Sequence, residues 1–328
     1  MSGGRADSAR ISEIAARWGL RGVTCAESTD GADVYQGALP AESAVGAERA
    51  AEGAGGAQRA RGAQVAVKVC HEPRSAAREA EVLTLLSGTA RVPRLVAHDA
   101  DTVIMSWLPG VPALRAWAGW PRDGAERAAV VADAGALLAT VQHAVPEATL
   151  RAARFWRAEG ASSADGPFVW RAYLGALVAK WAGRIAGGPL EAIGAVVAGV
   201  ATLSEPVRLT LLHGDFGLRN LLVDPAGVRV TGLIDHATAL VGDPLYDLAK
   251  TTWTDLGPDE PRVAAALLAG WSQASGVPVD PARLRLYQSI QGLAALAWAE
   301  RRGGADPASP HAAFHRAGRA ALCAILAP

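Results

Sequence analysis

The sequence predicts a two-lobed α+β protein with a small β-rich N-terminal lobe and a large helical C-terminal lobe. Short runs of alternating, β-branched apolar residues dominate before Leu108-Pro-Gly110, and long helical patterns dominate after it. One compact β-rich stretch, residues 207–235, interrupts the helical part. We therefore predict an N-terminal lobe over residues 1–105, a hinge linker over 106–110 and a C-terminal lobe over 111–328.

Hydrophobic periodicity places the individual elements. In the first half, helices are predicted at 10–20 and 75–86, and strands at 23–27, 34–39, 64–70, 91–98 and 102–107. In the second half, helices are predicted at 125–143, 168–186, 189–203, 260–275 and 281–301. Residues 40–63 are Ala, Gly, Glu and Arg with almost no large apolar side chain. Because they can bury little surface, we predict a mobile loop there.

Composition argues against several classes of protein. The chain has 328 residues, of which 50% are hydrophobic and 20% are charged, and Lys plus Arg (32) equals Asp plus Glu (32). This balance favours neither nucleic acid nor an anionic membrane as a partner. Cys25, Cys70 and Cys323 are too few and too scattered for a disulfide framework or a zinc site. We find no signal peptide and no apolar run of about 18 residues, and therefore expect a cytoplasmic protein. We expect it to be a monomer or a homodimer.

The strongest chemical signal is His213-Gly-Asp-Phe-Gly-Leu-Arg-Asn220, which lies between two apolar, strand-like segments. Phosphoryl transfer to a hydroxyl needs a carboxylate that accepts the proton, and oxygen ligands that hold Mg²⁺ against the phosphates of a nucleoside triphosphate. Asp215 fits the first role. Asn220 and Asp235, which ends the next apolar segment, fit the second. The alternative is a polar turn in which Asp215 and Asn220 are only turn formers.

A second signal is a lysine in a chain that nearly avoids lysine. The 32 basic residues include only three lysines: Lys68, Lys180 and Lys250. Lys68 lies in Val-Ala-Val-Lys-Val, a strand-like segment that can aim a point charge at phosphates. Its expected partner is a glutamate on the following helix, Glu79 or the rival Glu81. The alternative places Lys68 on the exposed face of an edge strand.

A third segment, Val241-Gly-Asp243-Pro-Leu-Tyr-Asp247-Leu-Ala, follows the β-rich interruption. Asp-Pro fixes a turn, and the residues after it begin a helix. Asp243 or Asp247 can therefore hold backbone amides. We expect these residues to support the catalytic loop rather than to take part in the chemistry directly.

Together these residues resemble the aminoglycoside phosphotransferase family, the antibiotic and small-metabolite relatives of protein kinases. The resemblance runs from about Val23 to the helix at 281–301, and it implies a bilobal protein-kinase-like fold. It also implies that Asp215 is the catalytic base, that Asn220 and Asp235 bind Mg²⁺, and that Lys68, paired with Glu79, contacts the α- and β-phosphates of ATP. GTP is an alternative donor.

The resemblance further assigns the adenine site and the loop over the phosphates. The adenine edge is expected at the carbonyl of Ser106 and the amide of Leu108, with Met105 behind the ring. Residues 28–32 are expected to cover the phosphates, with Ser28 and a single glycine, Gly31. The region from 212 to 253 is similar to hygromycin phosphotransferases and to the phosphotransferases with which antibiotic-producing actinomycetes protect themselves.

The acceptor is less well defined. Residues 109–328 hold 20 basic and 19 acidic side chains, which disfavours a polycationic acceptor. Asp255, Asp259 and Glu260 either face the ligand or cap a helix. Most tryptophans of this half are expected in the core, with one or two available to stack on a sugar or nucleobase. They are Trp156, Trp170, Trp181, Trp253, Trp271 and Trp298.

We therefore predict an enzyme that phosphorylates a hydroxyl of a small-molecule antibiotic of low charge, with no nucleic acid or membrane as partner. Two alternatives are a kinase for a small metabolic alcohol of the homoserine, choline or fructosamine type, and a nucleotide-binding pseudokinase without turnover.

Overall fold

The computed structural model describes most of the chain. The described residues are 8–28, 32–40, 63–117, 119–120, 125–153, 169–185, 188–206, 208–226, 229–256 and 260–326. The loop predicted at 40–63 lies outside them except for its two end residues. The chain divides into two compact units, residues 1–110 with 231–239, and residues 111–230 with 240–328.

The first unit is built on an antiparallel sheet of five strands in the order β1-β2-β3-β5-β4. The strands are β1 (Arg21–Ser28), β2 (Ala32–Ala38), β3 (Gln64–Cys70), β4 (Leu95–His98) and β5 (Thr102–Ser106). Alternate valines of β3, Val65, Val67 and Val69, are buried in the core with Tyr35 and Ile104. Because β3 lies between β2 and β5, Lys68 is on a central strand. The edge-strand alternative is wrong.

Two helices accompany this sheet, α1 (Ser8–Trp18) and α2 (Pro73–Leu85). Both were predicted within two residues of their ends. Helix α2 begins with proline, which suits the first turn because the missing amide has no helical partner there. Its buried face carries Glu79, Ala80, Val82 and Leu83.

The segment 231–239 groups with the first unit, although the predicted boundaries placed it in the C-terminal lobe. Hydrogen bonds explain this grouping. The amide of Leu233 donates to the carbonyl of Arg91 at 2.9 Å. The amide of His236 donates to the carboxylate of Glu79 at 3.1 Å.

The second unit is mainly helical, and its elements carry the predicted order. Its helices are α3 (Ala113–Trp117), α4 (Ala125–His143), α5 (Glu147–Ala152), α6 (Trp170–Ala182), α7 (Leu190–Thr202), α8 (Leu245–Thr254), α9 (Pro261–Ser275), α10 (Pro281–Glu300) and α11 (Ala312–Cys323). A short 3-10 turn, Ala324–Leu326, follows. The short helices α3 and α5, and the helix α11 near the end of the chain, were not predicted. Helices α3 and α5 have five and six residues, too few for a periodic pattern.

Glycines let the helices of this unit pack closely. If a Cβ were added at Gly135 of α4, it would lie 2.3 Å from the carbonyl oxygen of Leu267. A Cβ added at Gly270 of α9 would lie 2.1 Å from the carbonyl oxygen of Ala132. Both contacts are far inside van der Waals distance, so only glycine permits this α4–α9 approach.

Among the residues that the structure describes, five short strands also follow the predicted hinge, and three of them lie within the β-rich stretch 207–235. They are β6 (Val111–Pro112), β7 (Thr210–Leu212), β8 (Leu221–Val223), β9 (Val230–Leu233) and β10 (Leu240–Gly242). Strand β7 pairs antiparallel with β10, and β6 pairs antiparallel with β8. The segment 213–220 therefore connects two buried strands. The predicted α+β class, with a sheet-rich N-terminal part and a helical C-terminal part, is confirmed. Across the described ranges, every helix is too short or too polar to cross a bilayer.

Candidate active site

The loop 213–220 follows β7 and leads into β8, and it carries Asp215 and Asn220. Gly214 has φ +77°, a conformation that side chains with a Cβ rarely adopt. The Asp215 side chain is 15% exposed. Asn220 is buried, and its Nδ2 donates to the carbonyl of Asp215 at 2.8 Å and to its carboxylate at 3.0 Å. The side chain of Asn220, at the end of the loop, thus holds the backbone and the carboxylate of Asp215 within the same loop.

Two cations contact the same carboxylate. Arg219 donates from Nη2 to Oδ1 of Asp215 at 2.6 Å and from Nε to Oδ2 at 3.2 Å. Lys250, from helix α8, contacts Oδ1 through its ammonium. Burial lowers the pKa of Lys250 to about 8, and Asp255 acts in the opposite direction. Contact with Asp215 also favours the charged ammonium.

Helix α8 holds the backbone of the loop at its start. The carboxylate of Asp247 accepts from the amide of His213 at 2.8 Å and from the amide of Gly214 at 2.9 Å. Asp247 also accepts from Gln142 at 3.1 Å, and Gln142 accepts from Trp271 at 2.8 Å. Burial raises the pKa of Asp247, and the His213 side chain and these donors oppose that shift. The expectation that Asp247 supports the loop is confirmed.

The same helix holds the loop further along. Thr251 donates from its hydroxyl to the carbonyl of Phe216 at 2.8 Å. Asp255, the residue after α8, accepts from the amide of Leu218 at 2.6 Å. A Cβ added at Gly217 would lie only 2.4 Å from Oδ2 of Asp255. Residue 217 must therefore be glycine if Asp255 is to reach the loop.

Asp243 is the second expected support, and it acts on the helices. It accepts from the amide of Leu245 at 3.0 Å at the start of α8. Its other oxygen contacts Arg283 at 2.5 Å and accepts from the hydroxyl of Tyr287 at 2.9 Å. Tyr287 in turn accepts from the indole of Trp170 at 2.9 Å. This network joins α6, α8 and α10 behind the loop.

The first unit contains a separate charged cluster around Lys68. The ammonium lies 2.8 Å from Glu79 and 2.7 Å from Asp235. Glu79, rather than Glu81, is therefore the helical partner. Burial disfavours the ammonium, but the two carboxylates outweigh burial and raise the pKa of Lys68 above its usual range. Burial raises the pKa of Glu79, while Lys68 and the amide of His236 lower it.

Asp235 has an unusual backbone for a residue with a side chain. Its φ is +66°, in the left-handed region that aspartate tolerates better than most residues. Its side chain is 42% exposed. The carboxylate is thus paired with Lys68 and partly exposed to solvent.

The candidate magnesium ligands have suitable chemistry. Mg²⁺ is usually held by one or two protein oxygens together with substrate phosphates and water. Asn220 donates through its nitrogen to Asp215, so its Oδ1 is the atom that can bind a cation. Asp235 offers a partly exposed carboxylate. Within the described ranges, no group of three or more His, Cys, Asp and Glu side chains forms a self-sufficient metal site.

The expected adenine-site residues lie at the end of β5. Met105 is buried. Ser106 exchanges hydrogen bonds with Arg94, its amide donating to the Arg94 carbonyl and its hydroxyl accepting from the Arg94 amide, both at 2.9 Å. Leu108 is half-buried. Its side chain packs against Gly232, where an added Cβ would lie 2.5 Å from a Leu108 methyl group. The loop over the phosphates is barely described, because Ser28 ends β1 and Gly31 lies outside the described residues.

Several residues that contact the loop were not predicted from the sequence. Arg219 and Lys250 had no assigned role, although Lys250 is one of only three lysines, the signal that singled out Lys68. Asp255 was expected either to face a ligand or to cap the start of a helix, and instead it binds the loop amide of Leu218. Glu260 stands at the N-cap position of α9 without a side-chain cap bond, and pairs with Arg127. Asp259 lies outside the described residues.

Most of the six tryptophans named above were expected in the core, but of the five that the structure describes two are buried, and Trp181, Trp253 and Trp298 are half-buried. Trp170 and Trp271 are fully buried. Trp253 and Trp298 are half-buried and contact the ring of Phe314, with centroids 6.0 Å and 5.6 Å away. Trp156 lies outside the described residues.

A two-part α+β fold with an Asp-x-x-x-x-Asn loop on its helical unit, and a strand lysine paired with a helical glutamate in its sheet-rich unit, is typical of kinase-like phosphotransferases. Residues 47–287 match the model of the APH family, described as the phosphotransferase enzyme family. This match covers more than half of the chain, and the chain belongs to this family. The expected resemblance is confirmed.

Solved structures give the same fold. A macrolide 2'-phosphotransferase type I is 19% identical, with 98% of each chain covered and a TM-score of 0.62. The macrolide 2'-phosphotransferase MphH from Brachybacterium faecium is 20% identical, with 97% of this chain and 98% of that chain covered and a TM-score of 0.61. A complex of gentamicin with APH(2")-IIa is 14% identical, with coverages of 97% and 96% and a TM-score of 0.61. A search of curated proteins finds no match.

Proposed function

We propose that this phosphotransferase transfers the γ-phosphoryl group of ATP, in the presence of Mg²⁺, to a hydroxyl of a small-molecule antibiotic. The observation that carries the proposal is the Asp215 loop, whose carboxylate is contacted by three side chains and whose backbone is fixed by helix α8. The family supports the reaction type. Similar structures include complexes of another phosphotransferase, APH(4)-Ia, with hygromycin B and either ADP or AMP-PNP.

Asp215 acts as the base in this proposal. A carboxylate in this position accepts the proton of the acceptor hydroxyl and aligns its oxygen for attack. Alignment requires a side chain with little freedom, which the hydrogen bond from Asn220 provides. Fixing the loop backbone before substrate binds removes an ordering cost from the reaction.

Asn220 and Asp235 hold Mg²⁺, which neutralises charge on the phosphates when it is bound. Lys68 binds the α- and β-phosphates, and Glu79 fixes its side chain, in keeping with their 2.8 Å ion pair. Ser106 and Leu108 offer a carbonyl and an amide to the adenine edge, with Met105 behind the ring. Ser28 and Gly31 belong to the loop over the phosphates.

The acceptor we propose has low positive charge. A polycationic antibiotic needs a cluster of available carboxylates. Of the three acidic residues that the sequence offered for this purpose, Asp255 is bound to the loop amide of Leu218 and Glu260 to Arg127. Both carboxylates are engaged within the protein, which supports an acceptor of the macrolide or nucleoside kind over an aminoglycoside.

A screen of acceptors tests the proposal. The purified protein is incubated with ATP, Mg²⁺ and members of each antibiotic class, and with homoserine, choline and a fructosamine, and mass spectrometry detects an added phosphate. We expect phosphorylation of one antibiotic class, loss of activity with a chelator and its return with excess Mg²⁺.

Matched aspartate variants identify the base. Asp215→Asn should lower kcat by about 10²- to 10⁴-fold, whereas the exposed Asp306→Asn should retain normal turnover. Turnover of Asp215→Asn close to that of the unmodified protein rejects Asp215 as the base. Phosphorylation of a metabolic alcohol alone rejects the antibiotic acceptor, and no transfer to any acceptor supports the pseudokinase alternative.

A further inference from the structure

Lys250 is a half-buried cation at the carboxylate that we propose as the base. Its ammonium contacts Oδ1 of Asp215. Its side chain is 21% exposed, whereas that of Arg219, the other cation on this carboxylate, is 62% exposed. Water and salt screen an exposed guanidinium, so Arg219 contributes little to the local field. Lys250 therefore provides the stronger positive charge at this point.

Holding the loop in place does not require Lys250. Asp247, three residues before it, binds two loop amides, and Thr251, immediately after it, binds the carbonyl of Phe216. These bonds fix both the helix and the loop backbone on either side of residue 250. The ammonium is consequently free to change its partner while its own helix and the loop stay fixed.

The residue type also argues against a purely structural ion pair. Basic residues of this chain are arginine except at three positions. An arginine holds a carboxylate at least as well, because its planar guanidinium forms two parallel hydrogen bonds. Lysine instead offers a compact ammonium with three rotatable donors on a flexible stem. Such a group is suited to moving from one oxygen ligand to another.

The geometry of the proposed reaction brings phosphate to this ammonium. A hydroxyl that donates its proton to Asp215 must approach the carboxylate that Lys250 contacts. In a reactive arrangement, the phosphorus atom lies roughly 3–3.5 Å from the attacking oxygen. The oxygens of the transferred phosphoryl group are then within reach of a lysine side chain that already touches Asp215.

We propose that Lys250 is a catalytic residue that moves from Asp215 to the phosphoryl group in transfer. This role rests on the proposed function. As the acceptor oxygen forms its bond to phosphorus, the bond between phosphorus and the β,γ-bridging oxygen breaks and leaves its electron pair on ADP. The hydroxyl proton passes to Asp215. Lys250 keeps its proton and stabilises the negative charge on the transferred oxygens.

Nucleotide binding and turnover test this role without knowledge of the acceptor. We would measure the affinities for Mg²⁺-ADP and Mg²⁺-AMP-PNP by calorimetry, and the hydrolysis of Mg²⁺-ATP, in which water replaces the acceptor. The variants are Lys250→Met, Lys250→Arg and the control Lys180→Met, which removes an exposed lysine from α6. Thermal unfolding of each variant reports its folding.

The role of Lys250 predicts a specific pattern. Lys250→Met should lower kcat about 100-fold or more and should weaken AMP-PNP binding about tenfold while ADP binding stays within about threefold, because only AMP-PNP carries the γ-phosphate. Lys250→Arg should recover part of kcat, and Lys180→Met should match the unmodified protein.

Other outcomes overturn the proposal. If kcat of a folded Lys250→Met protein stays within about threefold of normal, or if ADP and AMP-PNP binding weaken equally, Lys250 only braces the loop. If the unmodified protein binds no nucleotide, the proposed function fails, and this role fails with it. If the unmodified protein binds and hydrolyses ATP and Lys250→Met does so equally well, only the role of Lys250 is wrong.

Discussion

Each of the two charged clusters contains a carboxylate to which we assign a role in the proposed reaction, and the two clusters hold that carboxylate in different ways. In the first unit, Asp235 is held by an ammonium that also pairs with the fully buried Glu79. In the second unit, the loop of Asp215 is held mainly by hydrogen bonds between its backbone and helix α8. The first arrangement depends on compensating buried charges, and the second on the position of one helix.

This difference predicts different consequences of mutation. Removal of one member of a buried ion pair leaves an uncompensated charge, which mainly costs folding free energy. Removal of an acceptor for loop amides costs less folding free energy, but it releases the backbone that positions Asp215, the proposed base. Mutations in the first cluster should therefore cost more folding free energy than mutations along α8. Both sets should also lower turnover, because we propose that Lys68 and Asp235 bind the phosphates and Mg²⁺.

The largest expected effect on stability is that of Lys68→Met. Glu79 then loses the ammonium 2.8 Å away in a position that water does not reach. We expect the free energy of unfolding to fall by about 3–5 kcal/mol, as measured by chemical denaturation. The exposed Lys180→Met is the control for loss of a lysine.

The double variant Lys68→Met/Glu79→Leu sharpens this test. Replacement of both members by apolar residues removes the unpaired charge, so the double variant should be more stable than Lys68→Met alone. A Lys68→Met protein as stable as the Lys180→Met control contradicts the view that buried charge dominates this cluster.

The second expected effect is that of Asp247→Ala. The amides of His213 and Gly214 and the amide group of Gln142 lose their acceptor. We expect a loss of about 2–4 kcal/mol in unfolding free energy and a decrease in kcat beyond any loss of folded protein. Asp247→Asn, which keeps one acceptor oxygen, should be milder in both measurements. Normal kcat in a folded Asp247→Ala protein contradicts the supporting role of α8.

Local patterns in the sequence were enough to predict most of the longer helices and strands and the loop that carries Asp215 and Asn220. Alternating valines indicated β3, and the spacing of Asp215 and Asn220 indicated a loop between two strands. The pairing of Lys68 with Glu79 also has a local basis. Glu79 lies three, four and seven residues before Val82, Leu83 and Leu86, which are buried on the same helix face, whereas Glu81 lies off that face.

The contacts of α8 with the loop could not be read from local patterns. Gly214 and Asp247 are 33 residues apart, and Leu218 and Asp255 are 37 apart. Which side chain of α8 meets which loop residue depends on how the helix is packed, and helical periodicity does not encode that register. Asp255 was therefore interpreted as a ligand-facing or capping residue, and Lys250 was overlooked.

The smallest expected effect comes from a pair of glycine variants. They test whether the contact between Asp255 and the loop matters for stability and turnover. Gly217→Ala places a methyl group against Asp255, which must then move away from the amide of Leu218. We expect a loss of about 1–3 kcal/mol in unfolding free energy and a lower kcat. Gly175→Ala, in α6, meets no atom within 4 Å and should stabilise the protein by about 0.4–1 kcal/mol. If Gly217→Ala lowers neither the unfolding free energy nor kcat, the loop does not depend on Asp255. The view that α8 holds the loop through backbone hydrogen bonds is then wrong for that residue.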